Sequence, residues 1–467
     1  MKNYIKFLGD NINPHFENES VKRMGNLKDI YIYDCNQYDA GKIAKIISPH
    51  ISAKEGQSVV IKPNWVTHPL GTLEEWSAVT TNSAIIEAVL INLYSVMNGR
   101  GTITICDSPT LDANMKKIKA LNGIEGIIEK YRTDSFSIRI LDLRKYYYKT
   151  VKNWLVSLET LSGDESVDIV MEEDSMFYGK PRQVYEVYGD IDKATQAHKD
   201  EKHHYSIAKS VIDCDVFINL PKLKTHRKAG ITCAMKNLVG IVSDKFCIPH
   251  RTVGTVSQGG DSPDSNERAH FSTESSFIIK VARKIEATVN PWVRYPLLPA
   301  YLIYSTVFHH ALSKIAGYDG SWHGNDTIWR AVMDLNRILF YCDKKGNFTT
   351  TIQRKYICIV DAIIAGEGQG PRTPTPKRCN YILVGMNPVS TDVAAATIMG
   401  FDWKKVHYLR AAFDDGKKLK LIDGNPEEIQ FIHNGQMYNL NSEQISDIKV
   451  QPPFVPSDGW KNYIEAK

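Results

Sequence analysis

The sequence predicts an α/β protein of two domains, with mostly parallel, doubly wound sheets and a helical insertion. Short apolar runs such as Ser58–Ile61 and Val216–Leu220 alternate with helical stretches such as Thr81–Met97, which is the pattern of βαβ units in a parallel sheet. The length of 467 residues exceeds one ordinary core and suits two. A stretch rich in Gly, Ser and Asp after residue 255 interrupts this alternation and marks the insertion.

The predicted N-terminal domain covers residues 29–255. Strands are predicted, in chain order, at Asp29–Asp34, Ser58–Ile61, Thr102–Cys106, Ser137–Leu141, Val184–Tyr188 and Val216–Leu220. The fourth and fifth of these strands suggest an antiparallel extension of the sheet. Helices are predicted at Tyr38–Ile47, Thr81–Met97 and Lys202–Ile212. Because His203 and His204 are neighbours on the last helix, they point in different directions and are expected at the surface.

The insertion is predicted at residues 256–325 and the C-terminal α/β domain at 326–467. Two interpretations are open for the apolar residues 291–316: a buried or oligomer-contacting helix, or peripheral contact with a membrane surface. The C-terminal domain begins with a helix, Ile328–Phe340, whose exposed face is expected to carry Arg330, Asp334 and Arg337. The elements predicted after it are strands at Tyr356–Val360 and Tyr381–Gly385 and a helix at Val389–Met399.

The composition excludes several classes of function. A net charge of +4 is small for this length, so nucleic-acid binding is not expected. None of the eight cysteines stands in a CxxC pair, so neither a zinc ribbon nor an iron–sulfur cluster is expected. The first residues lack the apolar core and cleavage site of a secretory signal. Free thiols without such a signal predict a cytoplasmic protein.

The candidate chemistry is concentrated in the stretch Asp215–His250. Between its first residue and Asp244 there is no carboxylate. The basic side chains that crowd into the same interval are Lys222, Lys224, His226, Arg227, Lys228 and Lys236. Such an imbalance of charge predicts a site for an anionic small molecule.

The local pattern of this stretch also predicts its geometry. If residues 222–226 are extended, their period of two puts Lys222, Lys224 and His226 on one side. Thr232 is then placed to cap a helix that carries Lys236 and Asn237. A cationic strand edge and a helix N-terminus together predict an anion site.

Polar side chains also follow the ends of other predicted strands. Lys62 and Asn64 follow the strand Ser58–Ile61, and Asp107 follows the strand Thr102–Cys106. Ligands of open α/β sheets gather beyond the carboxyl ends of the strands. The anion-binding set predicted from these ends and from the basic stretch is Lys62, Asn64, Lys222, Lys224 and Asn237.

A divalent metal is a second prediction for the same region. Asp107, Asp361 and Glu367 would supply hard oxygen ligands, which suit such an ion. His250 would add an imidazole nitrogen, and a mixed set of this kind suits a transition metal better.

The glycine-rich segment Ala365–Pro371 has two open interpretations. Gly366, Gly368 and Gly370 allow the backbone to approach a ligand closely, and their amides can form an anion-binding nest. The alternative is an ordinary flexible turn.

His226 and Lys236 are the candidate catalytic residues. The charged form of Lys236 would be disfavoured by Lys222, Lys224 and Arg227, so that the side chain could act as a base, nucleophile or covalent anchor. It could equally remain a charged, anion-binding lysine. His226 could be a general base near neutral pH or a hydrogen-bond donor to an anion.

Several segments together resemble the domain-of-unknown-function-362 (DUF362) family. They are IKPNW (61–65), DSP (107–109), PKLKTH and GITCAMKNLVGI (221–241), His250, WHGNDTIWR with DLN (322–336), and Asp361 with AGEGQGP (365–371). The resemblance covers about Val59 to Asp392. Some members of this family carry a ferredoxin-type iron–sulfur domain, and this sequence has no matching cysteine cluster.

A more distant likeness connects the same stretch with the nickel-pincer lactate racemases. The spacing of His226, Ala229-Gly230 and Lys236 looks like the core motif of those enzymes, with Val239-Gly240 in the place of a Pro-Gly pair. The likeness implies that His226 is a base, that Lys236 attaches the nickel-pincer nucleotide, and that His250 stands for a later metal ligand.

Three functions are compatible with this sequence. The first is an enzyme of racemase or epimerase type that transfers a proton on a carboxylated or phosphorylated small metabolite. The second is a non-catalytic protein that binds an anion or a nucleotide. The third, metal-dependent phosphoryl or nucleotidyl transfer, would need a cluster of metal-binding carboxylates.

Overall fold

The fold is seen in a computed structural model that describes residues 28–151, 154–180, 184–187, 191–264, 319–414 and 416–466. The apolar residues 291–316, for which membrane or oligomer contact is predicted, lie outside these residues. Among the described residues, no helix is long and apolar enough to cross a membrane.

The strands, in chain order, are β1 (Asp29–Asp34), β2 (Ser58–Pro63), β3 (Gly101–Asp107), β4 (Phe136–Asp142), β5 (Tyr146–Val151), β6 (Trp154–Thr160), β7 (Ser166–Met171), β8 (Tyr185–Glu186), β9 (His198–Lys199), β10 (Lys202–Ala208), β11 (Val216–Leu220), β12 (Lys222–His226), β13 (Gly230–Thr232), β14 (Arg251–Thr252), β15 (Lys355–Gln369), β16 (Thr373–Gly385), β17 (Gln430–His433) and β18 (Gln436–Asn439).

The α-helices are α1 (Ala40–Ile47), α2 (Leu73–Ser77), α3 (Ser83–Val96), α4 (Met115–Asn122), α5 (Ile124–Ile128), α6 (Asp192–Ala197), α7 (Lys209–Asp213), α8 (Ala234–Asn237), α9 (Ile328–Tyr341), α10 (Pro388–Ile398) and α11 (His407–Phe413). Short 3₁₀ turns occur at Ser48–His50, Leu238–Ile241, Lys245–Cys247, Val256–Gln258, Trp403–Lys405, Pro426–Glu428, Glu443–Ile448 and Asp458–Trp460.

The predicted α/β class is confirmed, and its centre is one mixed sheet of eleven strands in the described residues. Nine strands follow the order β18-β17-β1-β16-β15-β11-β2-β3-β4, and β12 and β13 join beside β15. The run β15-β11-β2-β3-β4 is parallel, whereas β16 pairs antiparallel with both β15 and β1. Strands from the predicted domains 29–255 and 326–467 thus meet in one sheet instead of forming two.

Both faces of this sheet are covered, as the alternation of buried side chains in β2 shows. Val59 and Ile61 pack in one hydrophobic cluster with the apolar face of α3, and Val60 packs in the other cluster with α9 and α10. Residues of a strand point alternately to its two faces. Burial on both faces is therefore the reason that β2 and β11 read as continuous apolar runs.

Two predicted elements are different in the structure. The prediction of a helix at Lys202–Ile212 is wrong, because β10 occupies Lys202–Ala208 and only Lys209–Asp213 is helical. In β10 the side chains of His203, Tyr205 and Ile207 are buried at a period of two, so His203 lies in the interior and not at the surface. The prediction of an antiparallel extension at 137–141 is also wrong, since β4 pairs parallel with β3.

The helix α9 has no exposed charged face. Arg330, Asp334 and Arg337, which were expected in solvent, are all buried. Asp334 accepts hydrogen bonds from the Ser175 hydroxyl (2.6 Å), the Met176 amide (2.8 Å) and the Tyr205 hydroxyl (2.9 Å). The segment around β7 and β10 covers this face, which the spacing of residues within α9 does not reveal.

The glycine-rich segment Ala365–Pro371 is not a loop for most of its length. Residues up to Gln369 continue β15, which forms a long hairpin with β16. A Cβ on Gly370 would lie 1.9 Å from the Thr225 carbonyl oxygen, and one on Gly366 would lie 2.8 Å from Pro374. Close packing against β12 at Gly370, and against the neighbouring strand β16 at Gly366, therefore accounts for these two glycines.

Candidate functional site

A cleft of about 100 Å³ lies beyond the carboxyl ends of β2 and β3 and beside β12. The residues that line it are Asn64, Val66, Asp107, Ser108, Thr110, Lys224, His226, Thr232, Lys236, Asn237, Val239, Gly240, Lys245, His250 and Pro371. Four separate parts of the chain therefore converge on one space. Its position follows the rule that open α/β sheets bind ligands at the carboxyl ends of their strands.

The lining of this cleft carries an excess of basic groups. Lys224, Lys236 and Lys245 contribute amines, whereas Asp107 is the one carboxylate among the described residues that line it. That carboxylate is paired with Lys62, with 2.7 Å between Asp107 Oδ1 and Lys62 Nζ, and both side chains are almost wholly inaccessible. The lysines of the lining therefore lack a carboxylate of their own within the cleft.

A network of amides supports the floor of the cleft. Asn237 Oδ1 accepts a hydrogen bond from Asn64 Nδ2 at 2.8 Å, and Asn237 Nδ2 donates to Asn219 Oδ1 at 2.7 Å. Lys62 Nζ donates to the Pro63 carbonyl oxygen at 2.7 Å. Every member of the network is buried, and satisfied polar networks of this kind hold side chains in one arrangement.

Lys224 belongs to this support. Its Nζ donates to Asn64 Oδ1 at 2.8 Å and to the carbonyl oxygen of Val79. Burial, with a smaller contribution from Lys222, holds the pKa of Lys224 well below the ordinary lysine value. Lys224 therefore contributes to the potential of the cleft from a fixed position.

Lys236 differs from the other lysines of the lining because its amine has no partner among the residues that the structure describes. The side chain is only 7% exposed, and no described residue accepts a hydrogen bond from Lys236 Nζ or forms an ion pair with it. Burial lowers the pKa of Lys236 to about 8. The sequence-based explanation, which attributed a lowered pKa to neighbouring cations, is corrected in its cause: desolvation is what disfavours the charge.

Lys245 is a second buried lysine with a lowered pKa, and the sequence alone did not single it out. Its Nζ donates to the Val239 carbonyl oxygen at 2.9 Å, and burial lowers its pKa to about 7. Asp244 precedes it in sequence, so that the pair looks like an ordinary surface turn. The 3₁₀ turn Lys245–Cys247, which Asp244 caps through the Phe246 amide, directs the lysine inward.

The backbone fixes which nitrogen of His226 carries the proton. His226 Nδ1 accepts hydrogen bonds from the Lys228 and Ala229 amides, both at 3.1 Å. Burial, and next the charge of Lys236, keeps the pKa of His226 well below its usual value, so the ring is neutral. The remaining proton must then sit on Nε2, which makes His226 a hydrogen-bond donor toward the cleft.

In His250 the proton lies on the other ring nitrogen, Nδ1. Its Nδ1 lies 2.9 Å from the Ile248 carbonyl oxygen, to which only a protonated nitrogen can donate. Burial lowers the pKa of His250 to about 3, so this ring is also neutral at pH 7. Its Nε2 therefore carries the lone pair, and His250 lines the same cleft as His226.

Three hydroxyl groups of the lining are also without a hydrogen-bond partner among the described residues. Ser108 Oγ, Thr110 Oγ1 and Thr232 Oγ1 are buried, and none of them forms a hydrogen bond with any described residue. A buried hydroxyl without a partner costs about 1–3 kcal/mol. Such groups are expected where a ligand completes the hydrogen bonding.

The prediction that Thr232 caps a helix whose N-terminus contributes to the anion site is wrong. The helix α8 has only four residues, and Thr232 does not cap it. Asp392 on α10 accepts the Ala234 amide at 2.5 Å and the Met235 amide at 3.1 Å instead. These amides are therefore occupied by protein and do not face an anion in the cleft.

Lys222 lies away from the cleft, contrary to the predicted alternation. Its Nζ is 2.7 Å from Asp361 Oδ2 and donates to the Ile364 carbonyl oxygen at 2.9 Å. Asp361 also accepts the Tyr38 hydroxyl at 2.8 Å. The pairing of β12 with β15 shifts its register between Lys222 and Lys224, and this irregularity separates the two lysines.

The predicted metal ligands do not meet at one point. Asp361 is enclosed with Lys222, and Glu367 lies 3.0 Å from Lys377 Nζ and accepts the Val455 amide. In the described part of the chain, no group of three or more His, Cys, Asp or Glu side chains could hold a metal ion. Of the four predicted ligands, only Asp107 and His250 line the cleft.

The other predicted site residues also divide into those that line the cleft and those that do not. His226, Lys236, Asn64, Lys224 and Asn237 line the cleft. Lys62 lies behind it in its pair with Asp107. Gly366, Gly368 and Gly370 are outside the lining, to which the same segment contributes Pro371.

Comparison with known proteins gives one family and two partial likenesses. Residues 176–397 match the model of the domain of unknown function DUF362. A segment of 47 residues is 46% identical to "Thylakoid-associated protein sll1697" of Synechocystis sp., covering 10% of this chain and 15% of that protein's length. A crystal structure of a Thermotoga maritima protein from a structural genomics consortium aligns with 75% of this chain and 56% of that chain, at 9% identity and a TM-score of 0.32.

The likeness to the nickel-pincer lactate racemases is not shown by these matches. Within the described part of the chain, Lys236 has no partner for its amine, as a cofactor attachment would need. The donor set for nickel does not fit, because Asp107 is paired with Lys62 and, in the residues described, His250 has no group of further ligand side chains around it.

Proposed function

This chain belongs to the DUF362 family through residues 176–397, and we propose that its cleft is the active site of an isomerase-type enzyme that transfers a proton on a small anionic metabolite. The observation that carries the proposal is Lys236. A buried lysine with a pKa of about 8 and no partner among the described residues points to a functional site. Proton transfer is most efficient when the pKa of the acid or base lies near the working pH.

The neutral form of Lys236 is the base in this proposal. At pH 7 a lysine with a pKa of about 8 is neutral in roughly one molecule in ten. Its amine takes a proton from the carbon next to a carbonyl or carboxyl group of the substrate. The C–H bond breaks, an N–H bond forms, and the electron pair moves onto the carbonyl oxygen.

His226 supports the charge that develops on that oxygen. Its Nε2–H is the donor left after the backbone has occupied Nδ1. A neutral imidazole that donates a hydrogen bond stabilises an enolate oxygen without being a base itself. The Lys236 ammonium formed in this step then returns a proton to the carbon, so that the C–H bond forms again and the amine is neutral as before.

Exchange of substrate hydrogen with solvent tests the proposal. In deuterium oxide, we expect the wild-type protein to exchange the hydrogen on the carbon next to the carboxyl or carbonyl group of at least one small carboxylated or phosphorylated acid. Proton NMR measures this exchange as the loss of the signal of that hydrogen. Lys236→Ala removes the base and should reduce the exchange rate at least about a hundredfold, the usual contribution of a positioned acid or base.

Two further variants make the result specific. His226→Gln keeps an amide N–H donor and should retain more activity than His226→Ala. Lys377→Met is the matched control, because this half-buried lysine pairs with Glu367 outside the cleft and should exchange at the wild-type rate. Exchange that survives in Lys236→Ala, with circular dichroism showing a folded protein, would contradict the proposal.

A second candidate is a protein that binds an anion without changing it. The observation in its favour is that backbone amides occupy His226 Nδ1, so this histidine can act as a donor only. This function predicts that anions raise the melting temperature while the ligand is recovered unchanged. Hydrogen exchange into any ligand would exclude it.

The proposed location of this activity is the cytoplasm. All eight cysteines are buried free thiols. Thiols persist in the reduced state in the cytosol, where disulfides are rare. Mass spectrometry of protein alkylated in freshly broken cells, after denaturation, should find all eight modified.

A further inference from the structure

We propose that the ligand of this cleft carries a doubly charged phosphate group, so that the substrate class is phosphorylated small metabolites and not simple monocarboxylates. This inference rests on the proposed function, because it names the ligand of the same site. Its support is a count of charges and donors in the lining.

The charges of the lining do not balance within the protein. Lys62 and Asp107 neutralise each other at 2.7 Å. Lys236 and Lys245 remain, and the described lining offers them no further carboxylate. A single carboxylate would leave one of these two amines uncompensated, whereas a phosphate monoester carries nearly two negative charges at neutral pH. Buried charges are stable only when they are paired.

The unsatisfied hydrogen-bond donors point to the same group. Ser108 Oγ, Thr110 Oγ1 and Thr232 Oγ1 have no partner among the described residues. His226 adds its Nε2–H to the same lining. A phosphate presents three terminal oxygens that are strong acceptors, and a carboxylate presents two.

The size of the cleft suits a small phosphorylated molecule. A volume of about 100 Å³ holds a compact anion together with a short carbon skeleton, and it is well below the volume of a drug-sized pocket, about 300–1,000 Å³. The phosphate would lie beside Lys245 and the unsatisfied hydroxyls. The reacting carbon would then lie beside Lys236 and His226.

Binding of a dianion should be accompanied by proton uptake. Burial lowers the pKa of Lys236 to about 8 and that of Lys245 to about 7, so both are partly neutral in the free protein at pH 8. The groups that face them are Lys224, His226, His250 and the Lys62–Asp107 pair. An opposite charge nearby favours the charged lysine, so the average protonation of both amines rises when the anion binds, while a fraction of Lys236 stays neutral.

Isothermal titration calorimetry with simple anions tests this inference on the full-length protein. Sulfate serves as a dianion that does not titrate, inorganic phosphate as the group itself, acetate as a monoanion and malonate as a dicarboxylate. We expect sulfate and phosphate to bind at least about tenfold more tightly than acetate, the factor that one additional charged hydrogen bond provides. Malonate that binds more tightly than phosphate would overturn the phosphate assignment.

The pH dependence provides an independent readout. Sulfate affinity should be greatest near pH 6 and fall as the pH rises through about 7 and 8, where Lys245 and Lys236 lose their protons. Titrations at pH 8 in two buffers of different ionisation enthalpy should show net proton uptake. Sulfate affinity that is constant from pH 6 to about pH 9 would overturn the inference.

Substitutions of the lysines in the lining test whether sulfate binds in the cleft. Lys236→Met and Lys245→Met should each weaken sulfate binding about tenfold, and Lys377→Met should not change it. Circular dichroism and the melting temperature show which variants are folded. If a variant does not fold, the comparison of sulfate with acetate on the wild-type protein still decides the matter, since equal affinities overturn the inference.

The experiment separates this inference from the proposed function. Sulfate and phosphate binding without hydrogen exchange in any phosphorylated acid would support the ligand class and remove the isomerase. Hydrogen exchange in a monocarboxylate, with no binding of sulfate or phosphate, would overturn the ligand class and leave the isomerase.

Discussion

Lys62 and Asp107 form a buried ion pair, with 2.7 Å between Nζ and Oδ1, at the back of a cleft lined by other amines. Asp107 also accepts the amide of Trp65 at 2.6 Å. The pair joins the ends of β2 and β3, the strands that supply it. It keeps one carboxylate and one amine from acting as independent charges in the site.

Removal of Asp107 should destabilise the protein strongly. Asp107→Ala leaves Lys62 as an uncompensated buried charge, which typically costs about 3–5 kcal/mol. Unfolding in urea, followed by circular dichroism, measures the change in the free energy of unfolding. The matched control is Glu87→Gln, which breaks the more exposed pair with Lys130 and should cost less than about 1 kcal/mol. Equal losses in the two variants would refute the role of burial.

The backbone at Gly240 packs directly against the Lys62–Asp107 ion pair, which leaves no room for a side chain. A Cβ at residue 240 would lie 2.0 Å from Asp107 Oδ1 and 2.5 Å from Lys62 Nζ. Gly240→Ala should therefore cost about 1–3 kcal/mol through overpacking. Gly126→Ala on α5 meets no atom within 4 Å and should be stabilising by about 0.5–1 kcal/mol. Thermal unfolding of the two variants, one alanine each, should give shifts of opposite sign.

Asp392 should make stability depend on pH. Burial raises the pKa of its carboxyl from 3.8 to about 7, so the folded protein holds a proton that the unfolded chain releases. The contribution of this group to stability is complete below about pH 4 and is lost as the pH rises toward about 7. Asp392→Asn does not titrate. The free energy of unfolding of the wild type relative to this variant should fall between these pH values, and a constant difference would contradict the assignment.

The two histidines of the cleft should be opposite tautomers. The hydrogen bonds at Nδ1 predict an Nε2–H form for His226 and an Nδ1–H form for His250. Two-bond proton–nitrogen NMR spectra of protein with labelled histidine distinguish the two forms, and His226→Gln assigns the signals. Both patterns should persist from pH 8 down to the usual histidine value of 6.5, because burial lowers both pKa values. The same tautomer in both rings would contradict the proposed roles.

The sequence predicted the parallel strands and the residues at their ends because these depend on local patterns. Continuous apolar runs identified β2 and β11, and the polar residues after them, Asn64 and Lys224, do line the cleft. The positions of His226 and Lys236 follow from the same stretch. Interactions between distant segments were not predictable in this way.

Three errors have such distant causes. The register shift between β12 and β15 moved Lys222 to Asp361, which is far from it in sequence. The cap of α8 comes from Asp392 instead of Thr232. Lys245 carried no signal of its own, since only the fold shows that a lysine after Asp244 is buried among other amines.

Because β11 and β15 are neighbours in the sheet but distant in sequence, the sheet cannot be completed until late in synthesis. β11, Val216–Leu220, hydrogen-bonds to β2 on one side and to β15, Lys355–Gln369, on the other. During synthesis one edge of the apolar β11 stays unpaired until residues beyond 355 leave the ribosome. Unpaired apolar edges promote aggregation. A fragment that ends near residue 255 would therefore carry most of the cleft and still be a poor candidate for expression on its own.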